Sequence, residues 1–498
     1  MSAQLALIIL LAYIGLLLIV SYLKGGDDEN DSFFVGKRQS PWFLVAFGMI
    51  GASLSGVTFL SVPGSVEKSM FSYFQMVLGY LPGYLFIAFV LIPVFYKLKL
   101  TTIYGYLETR FGTKSYKTGS AFFLLSRIIG ASFRIYLVVL VLQLFICNDL
   151  GIPFAATVAL TILIIWLYTF RSGIKSIVWT DTLQTVAMLL AVMITIWFIS
   201  KAMGESVGSL MVQIKNSELS KTFFFENGWS DGKNFFKQFL AGASIAIVMT
   251  GLDQDMMQKN LSCKNIKDAQ KNVVSLSLIL IPVNLLFLFL GALLYIFAAH
   301  QGIELTDLAA DKVFPTIAKT HLGALGGAIF FIGVIAAAFS SADSALTALT
   351  TAVCVDFLGF KEDEANGRSS QSLKTTRIKV HVFISILLFL VIIGFKAINN
   401  DSVINDIFKF AGYTYGPLLG LFMMGLFTKI NLKDKWVPLV CILAPFVSHG
   451  IKLLVEHNTS YTFSFEFLIL NGLVTFIGLI LVSQKNDSAV STESLVNH

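Results

Sequence analysis

Gly51-Ala52-Ser53-Leu54-Ser55-Gly56 lies in the middle of an apolar run, 42–64, long enough to cross the roughly 30 Å hydrocarbon core of a bilayer as a helix. Small residues crowd this stretch. In a membrane helix they serve either close packing against a neighbour or a break near the midplane whose freed carbonyls can hold an ion. A second triplet, Gly242-Ala243-Ser244 with Gly251 further on, follows about 190 residues downstream, in a span five helices later. An odd number of helices per repeat inverts the second copy, so this spacing predicts a five-plus-five inverted-repeat core. Close packing remains the alternative reading of both triplets.

The rest of the chain supports a membrane reading. Of 498 residues, 56% are hydrophobic and 13% charged, and the mean hydropathy is +0.77. A soluble globule carries roughly a quarter of its residues as charges. Lipid offers the backbone no hydrogen-bond partner, so apolar runs of spanning length must be helices. About thirteen are expected, near 3–23, 42–64, 71–96, 118–146, 153–170, 176–200, 234–252, 272–299, 322–355, 378–396, 404–428, 436–455 and 463–483. The first lacks a basic leader and a small-residue cleavage site and reads as a retained helix.

Lysine and arginine set the expected orientation. With the N-terminus outside, the cytoplasmic segments hold most of the 36 basic residues. They include Lys37, Arg38, Lys97, Lys99, Arg110, Lys114, Arg171, the group Lys259, Lys264, Lys267 and Lys271, the cluster Lys361 to Lys379, and Lys485. The net charge of +6 therefore reports topology, and nucleic acid is not an expected partner. The C-terminus is expected inside a cell membrane, 203–233 as an outer loop, and 485–498 as a disordered cytoplasmic tail too short for a signalling domain.

Four scattered cysteines argue against a disulfide or zinc framework. Absence of HExxH, Walker A and G-x-S-x-G patterns leaves a hydrolase or ATP-driven pump without an engine. The chain reads as no enzyme.

Four stretches resemble the sodium:solute symporter family, which includes proline, glucose/galactose, iodide and sialic acid carriers. They are Phe33-Phe34-Val35-Gly36-Lys37-Arg38, continuing through Gly51–Gly56 to Val62-Pro63-Gly64; Leu98–Tyr104 with Tyr106–Gly112; Gly251-Leu252-Asp253-Gln254 with Gln258, Asn260 and Leu261; and Tyr415-Gly416-Pro417 through Phe422. The resemblance implies an all-α, leucine-transporter-like fold. Its core runs as repeats 42–200 and 234–430, preceded by an extra helix and loop in 1–41 and followed by two C-terminal helices in 431–484. It implies sodium-coupled import of a small organic solute by alternating access, with one or two Na+ per solute and no obligatory protein partner. A membrane sensor working through a separate signalling partner is the alternative; a channel lacks any repeated pore motif.

Ala337, Ser340 and Ser341 share one helical face at i, i+3, i+4. The resemblance makes them sodium ligands, completed by the carbonyls of Gly51 and Leu54. The competing reading has the serines bonding back to carbonyls one turn earlier. Asp181, an ionisable group inside a span, is a functional candidate by default; with Ser341, Asp343 and Ser344 it forms a possible second sodium site. Asp343 departs from the serine of two-sodium members. It could instead take up a proton or face a vestibule.

For the solute, Ser55, Thr58, Gln75 and Arg134 are the expected contacts, and Tyr415 a possible gate. Arg134 resembles the arginine with which sialic acid carriers hold their substrate's carboxylate. A carboxylated solute (sialic acid or another organic anion) or a sugar is therefore expected. Pairing of Arg127 or Arg134 with a protein carboxylate stays open.

Overall fold

The computed structural model describes residues 1–24, 38–169, 173–305, 308–398 and 403–484. The family-like stretch 33–37, Arg171 and the tail 485–498 lie outside them.

Among the described residues, nine helices are long and apolar enough to span: Ala3–Leu23, Trp42–Ser69, Tyr73–Lys97, Thr113–Cys147, Ile177–Met203, Ile266–Gln301, Gly323–Phe357, Ser370–Ala397 and Asp434–Asn458. Two bent pairs and two shorter apolar helices, Phe154–Leu167 and Phe467–Leu481, bring the spans to the expected thirteen. They are numbered here in chain order. The protein is a multi-pass membrane protein.

Burial separates core from periphery. The second, fourth and ninth spans are 78%, 67% and 72% buried, while the first and twelfth are 22% buried and turn most of their surface outward. The second span packs on the sixth, eighth and ninth.

Three core spans are broken, each for a local reason. The second bends at Ser55, whose φ of 54° and ψ of 178° interrupt an otherwise continuous helix. The seventh is Phe235–Gly251 followed by Gln254–Leu261, turned by 64°. A π-turn over Ile247–Gly251 ends its first half, and Asp253 starts the second by accepting from the backbone N–H groups of Asp255 and Met256. The eleventh is Val403–Thr414 followed by Gly416–Phe427, turned by 48°. Pro417 cannot donate to the carbonyl of Tyr413. Asn471 on the thirteenth span donates to the carbonyls of Gly412 and Tyr413 instead, at 2.9 and 3.0 Å.

The break of the seventh span corrects the reading of the second triplet. Gly242-Ala243-Ser244 lies in intact helix, some turns before the bend. A Cβ at Gly242 would overlap the carbonyl of Met76, and one at Gly79 that of Phe239. The third and seventh spans thus pack backbone to backbone, and the triplet serves close approach.

The segment between the sixth and seventh spans carries a short helix, Val207–Asn216, capped by Ser206 and seated through Leu210 and Ile214. Lys237 ties it to the thirteenth span's end: its ammonium donates to the carbonyls of Trp229 and Thr462 and pairs with Glu466 at 3.3 Å.

Candidate functional site

Around the break of the second span, glycines bring three helices into contact. A Cβ on Gly48 would stand 3.0 Å from Asp181 Cβ. One on Gly51 would overlap Thr185 Oγ1 and lie 3.4 Å from Ser340 Oγ, and one on Gly56 would touch Ala338 at 3.2 Å. The Gly51–Leu54 turn therefore sits against the 337–341 face of the ninth span and the 181–185 face of the sixth. Ala337, Ser340 and Ser341 are all buried.

The hydroxyls are held in different ways. Ser340 Oγ donates to Asp181 Oδ1 at 2.7 Å. That spends its single hydrogen and leaves its lone pairs for a cation. Ser341 Oγ donates to the carbonyl of Ala338 at 3.1 Å, the back-bonding alternative, and its lone pairs are likewise unspent by donation. Thr185 Oγ1 donates to the carbonyl of Asp181 at 2.8 Å and accepts from the N–H of Gly51 at 3.1 Å.

Asp181 has a second partner that the charge pattern concealed. Lys259 Nζ lies 2.6 Å from Asp181 Oδ2, both side chains 1% exposed. Lys259 was grouped with Lys264, Lys267 and Lys271 as a loop charge. It stands instead on the fully buried half-helix Gln254–Leu261. The proposed second-sodium set is also divided. Ser344 Oγ donates to Asp255 Oδ2 at 3.3 Å and to the carbonyl of Ser340, while Asp343 Oδ1 accepts from the N–H of Ser344.

Beside the break lies a narrow cavity of about 80 Å³, lined among others by Ser55, Thr58, Tyr84, Arg127 and Arg134. Tyr73, Ile404 and Phe408 separate it from a vestibule of about 560 Å³. The vestibule is bordered by Lys233 and Phe465, and so opens at the end of the bundle carrying the 203–233 segment. At the other end the cavity is floored by charges. Arg127 forms an ion pair with Asp255 and lies 3.6 Å from Asp253, and Tyr415 donates to Asp253 at 2.5 Å.

The two arginines, two turns apart, are unequal. Arg127 is neutralised by the aspartates. Arg134 is buried, lines the cavity, and among the described residues has neither an ion pair nor a hydrogen-bond partner for its Nε.

Gln75 is not at the cavity. Its Nε2 donates to the carbonyls of Lys233 and Ser72, and its Oε1 accepts from the N–H of Phe224. Standing in the first turn of the third span, it is level with the loop and not with the midplane, so it ties that loop down.

The sequence reading missed Lys259, Asp253 and Asp255. A signal was present: three charged residues within eight positions after Gly251, on a stretch too short to leave the protein.

A model of the sodium:solute symporter family matches residues 33–433. The sodium/sialic acid symporter NanT of Aliivibrio fischeri is 26% identical, over 98% of this chain and 94% of its own. The solved substrate-bound outward-open state of a Na+-coupled sialic acid symporter matches with a TM-score of 0.81 at 20% identity, covering 96% of this chain and 99% of that one. A nucleobase-cation-symport-1 family transporter in a closed conformation matches at 0.58 and 15% identity, covering 92% and 95%. The fold is the leucine-transporter-like one, with a five-plus-five core. The broken spans, the hydroxyl-lined face beside Gly51 and these matches converge: the chain belongs to the sodium:solute symporter family and is a sodium-coupled carrier of a small organic solute.

Proposed function

We propose that the protein imports a carboxylate-bearing organic solute by alternating access, with Arg134 receiving the carboxylate. The observation that carries this reading is the contrast between the arginines: Arg127 is paired, while Arg134 faces the cavity with no acidic partner among the described residues. A buried charge is costly until it is paired and hydrogen-bonded, and a planar guanidinium suits a carboxylate's two oxygens. Sialic acids are the first class to try, because similar symporters carry them. Ser55 and Thr58 line the same cavity with their hydroxyl-bearing side chains.

In this reading, sodium is held by the carbonyls of Gly51, Leu54 and Ala337 and the hydroxyls of Ser340 and Ser341. The vestibule faces outward and the Arg127–Asp253–Asp255–Tyr415 floor faces the cytoplasm, which puts the N-terminus outside. Repeats of 42–200 and 234–430 then share the cavity between them.

Uptake into proteoliposomes under an imposed sodium gradient tests the reading, with sialic acids, monocarboxylates, amino acids and neutral sugars as solutes. Arg134→Ala should cost carboxylates roughly 10- to 100-fold in apparent affinity, the value of a charge-assisted hydrogen-bonded pair, and leave neutral solutes little changed. Unchanged selectivity would remove Arg134 from the site. Ser340→Ala with Ser341→Ala should abolish sodium stimulation; if it persists, the ion binds elsewhere.

A further inference from the structure

We infer that Lys259 is a built-in cation that occupies the charge requirement of Asp181, so that the carrier binds one sodium where a second would otherwise be recruited. The inference rests on the sodium site proposed above and adds its stoichiometry.

Asp181 is a buried carboxylate at the meeting of the second, sixth and ninth spans, and such a group must have a counter-charge. Its two oxygens have different partners. Oδ1 accepts the Ser340 hydroxyl at 2.7 Å, and Oδ2 accepts the Lys259 ammonium at 2.6 Å. An ammonium at that distance stands where a monovalent ion liganded by Oδ2 would stand. Two cations on one carboxylate in a water-poor interior repel strongly, so the lysine and a second sodium are alternatives. Of the oxygens that could complete a second site, that of Ser344 faces Asp255, which in turn holds Arg127.

The pair also acts on the first site. Because Asp181 Oδ1 accepts from Ser340, the Ser340 hydroxyl is fixed as a donor, and the lone pairs of Ser340 point away from the carboxylate. Asp181 and Lys259 are thus positioning residues for sodium and not its ligands. Unlike a bound ion, the lysine cannot be released to the cytoplasm. It travels with the half-helix Gln254–Leu261, which carries it past the 64° bend.

Equilibrium binding of radiolabelled sodium to the purified full chain tests this without knowledge of the solute. The wild type should bind one ion per chain, and Lys259→Met should bind two, because Asp181 is then left without its cation. Lys259→Arg, which keeps the charge, should bind one. Lys259→Gln replaces the methionine variant should that one fail to fold. Two ions in the wild type would overturn the inference whatever the variants do, and so would a single ion in a folded Lys259→Met or Lys259→Gln protein. A wild type that binds none would instead overturn the sodium site itself.

Discussion

Tyr415 Oη donates to Asp253 Oδ2 at 2.5 Å and thereby joins the break of the eleventh span to the break of the seventh. The other oxygen of the same carboxylate caps the half-helix Gln254–Leu261. One side chain therefore shapes a broken helix and fastens it to another.

Tyr415→Phe removes that tie without changing the ring. A hydrogen bond to a charged group contributes about 1.5–3 kcal/mol, so the state in which the floor is closed should lose roughly tenfold or more in population against its competitor. In the proposed reading, sodium and solute both bind with the floor closed. Their apparent affinities, measured by sodium-dependent thermal stabilisation and by uptake, should weaken by the same factor. A loss confined to the solute would make Tyr415 a solute contact.

Gly51→Ala should be poorly tolerated, because its Cβ would run into Thr185 Oγ1. Overpacking of this kind costs about 1–3 kcal/mol. Thr185→Ala in the same chain removes the obstructing hydroxyl and should restore most of the lost thermal stability. If the double variant is no better than the single one, the Gly51 position is limited by something other than Thr185.

Gln75→Ala should lower thermal stability by about 1–3 kcal/mol, the range for leaving buried partners unsatisfied, since it frees the carbonyl of Lys233 and the N–H of Phe224. Solute selectivity in uptake competition should not change. A changed ranking of solutes would return Gln75 to the binding site.

Cys263 follows the buried half-helix in a loop, bridged through its backbone to Ser40, and burial pushes its thiol up to about 12. Since the thiolate is the reactive form, maleimide labelling at neutral pH should be slow while the floor is closed. In a chain with Cys263 as its only cysteine, Tyr415→Phe should speed labelling. Equal rates in the two proteins would mean that the half-helix does not move.

How far the sequence could be read depended on scale. Thirteen spans were legible because lipid leaves the backbone one solution, and each apolar run is bounded by charge. The break at Ser55 was legible to within a few residues from the small residues around it. At the matching break the sequence left Gly242-Ala243-Ser244 open to two readings, since glycine marks both tight packing and bending, and only the neighbour decides which; the bend itself follows Gly251. Here the neighbour of Gly242 is the Met76 carbonyl. Lys259 was invisible as a buried cation because its sequence surroundings, Gln258 and Asn260 and then Lys264 and Lys267, look like a solvated loop. Its counter-charge, Asp181, is 78 residues away. Gln75 failed for want of depth: a polar residue one turn from a span's end serves the loop as readily as the midplane.

The backbone at Ser55 has one more consequence. A non-glycine residue held at a φ of 54° with ψ of 178° lies in a region used almost only by glycine, at a cost of about 1–3 kcal/mol. That cost falls on folding, once in the life of each molecule. The bend at Ser55 is therefore in place before any ion arrives. In the proposed site, sodium meets a turn already shaped for it, and its binding energy remains available to choose between the two faces of the membrane.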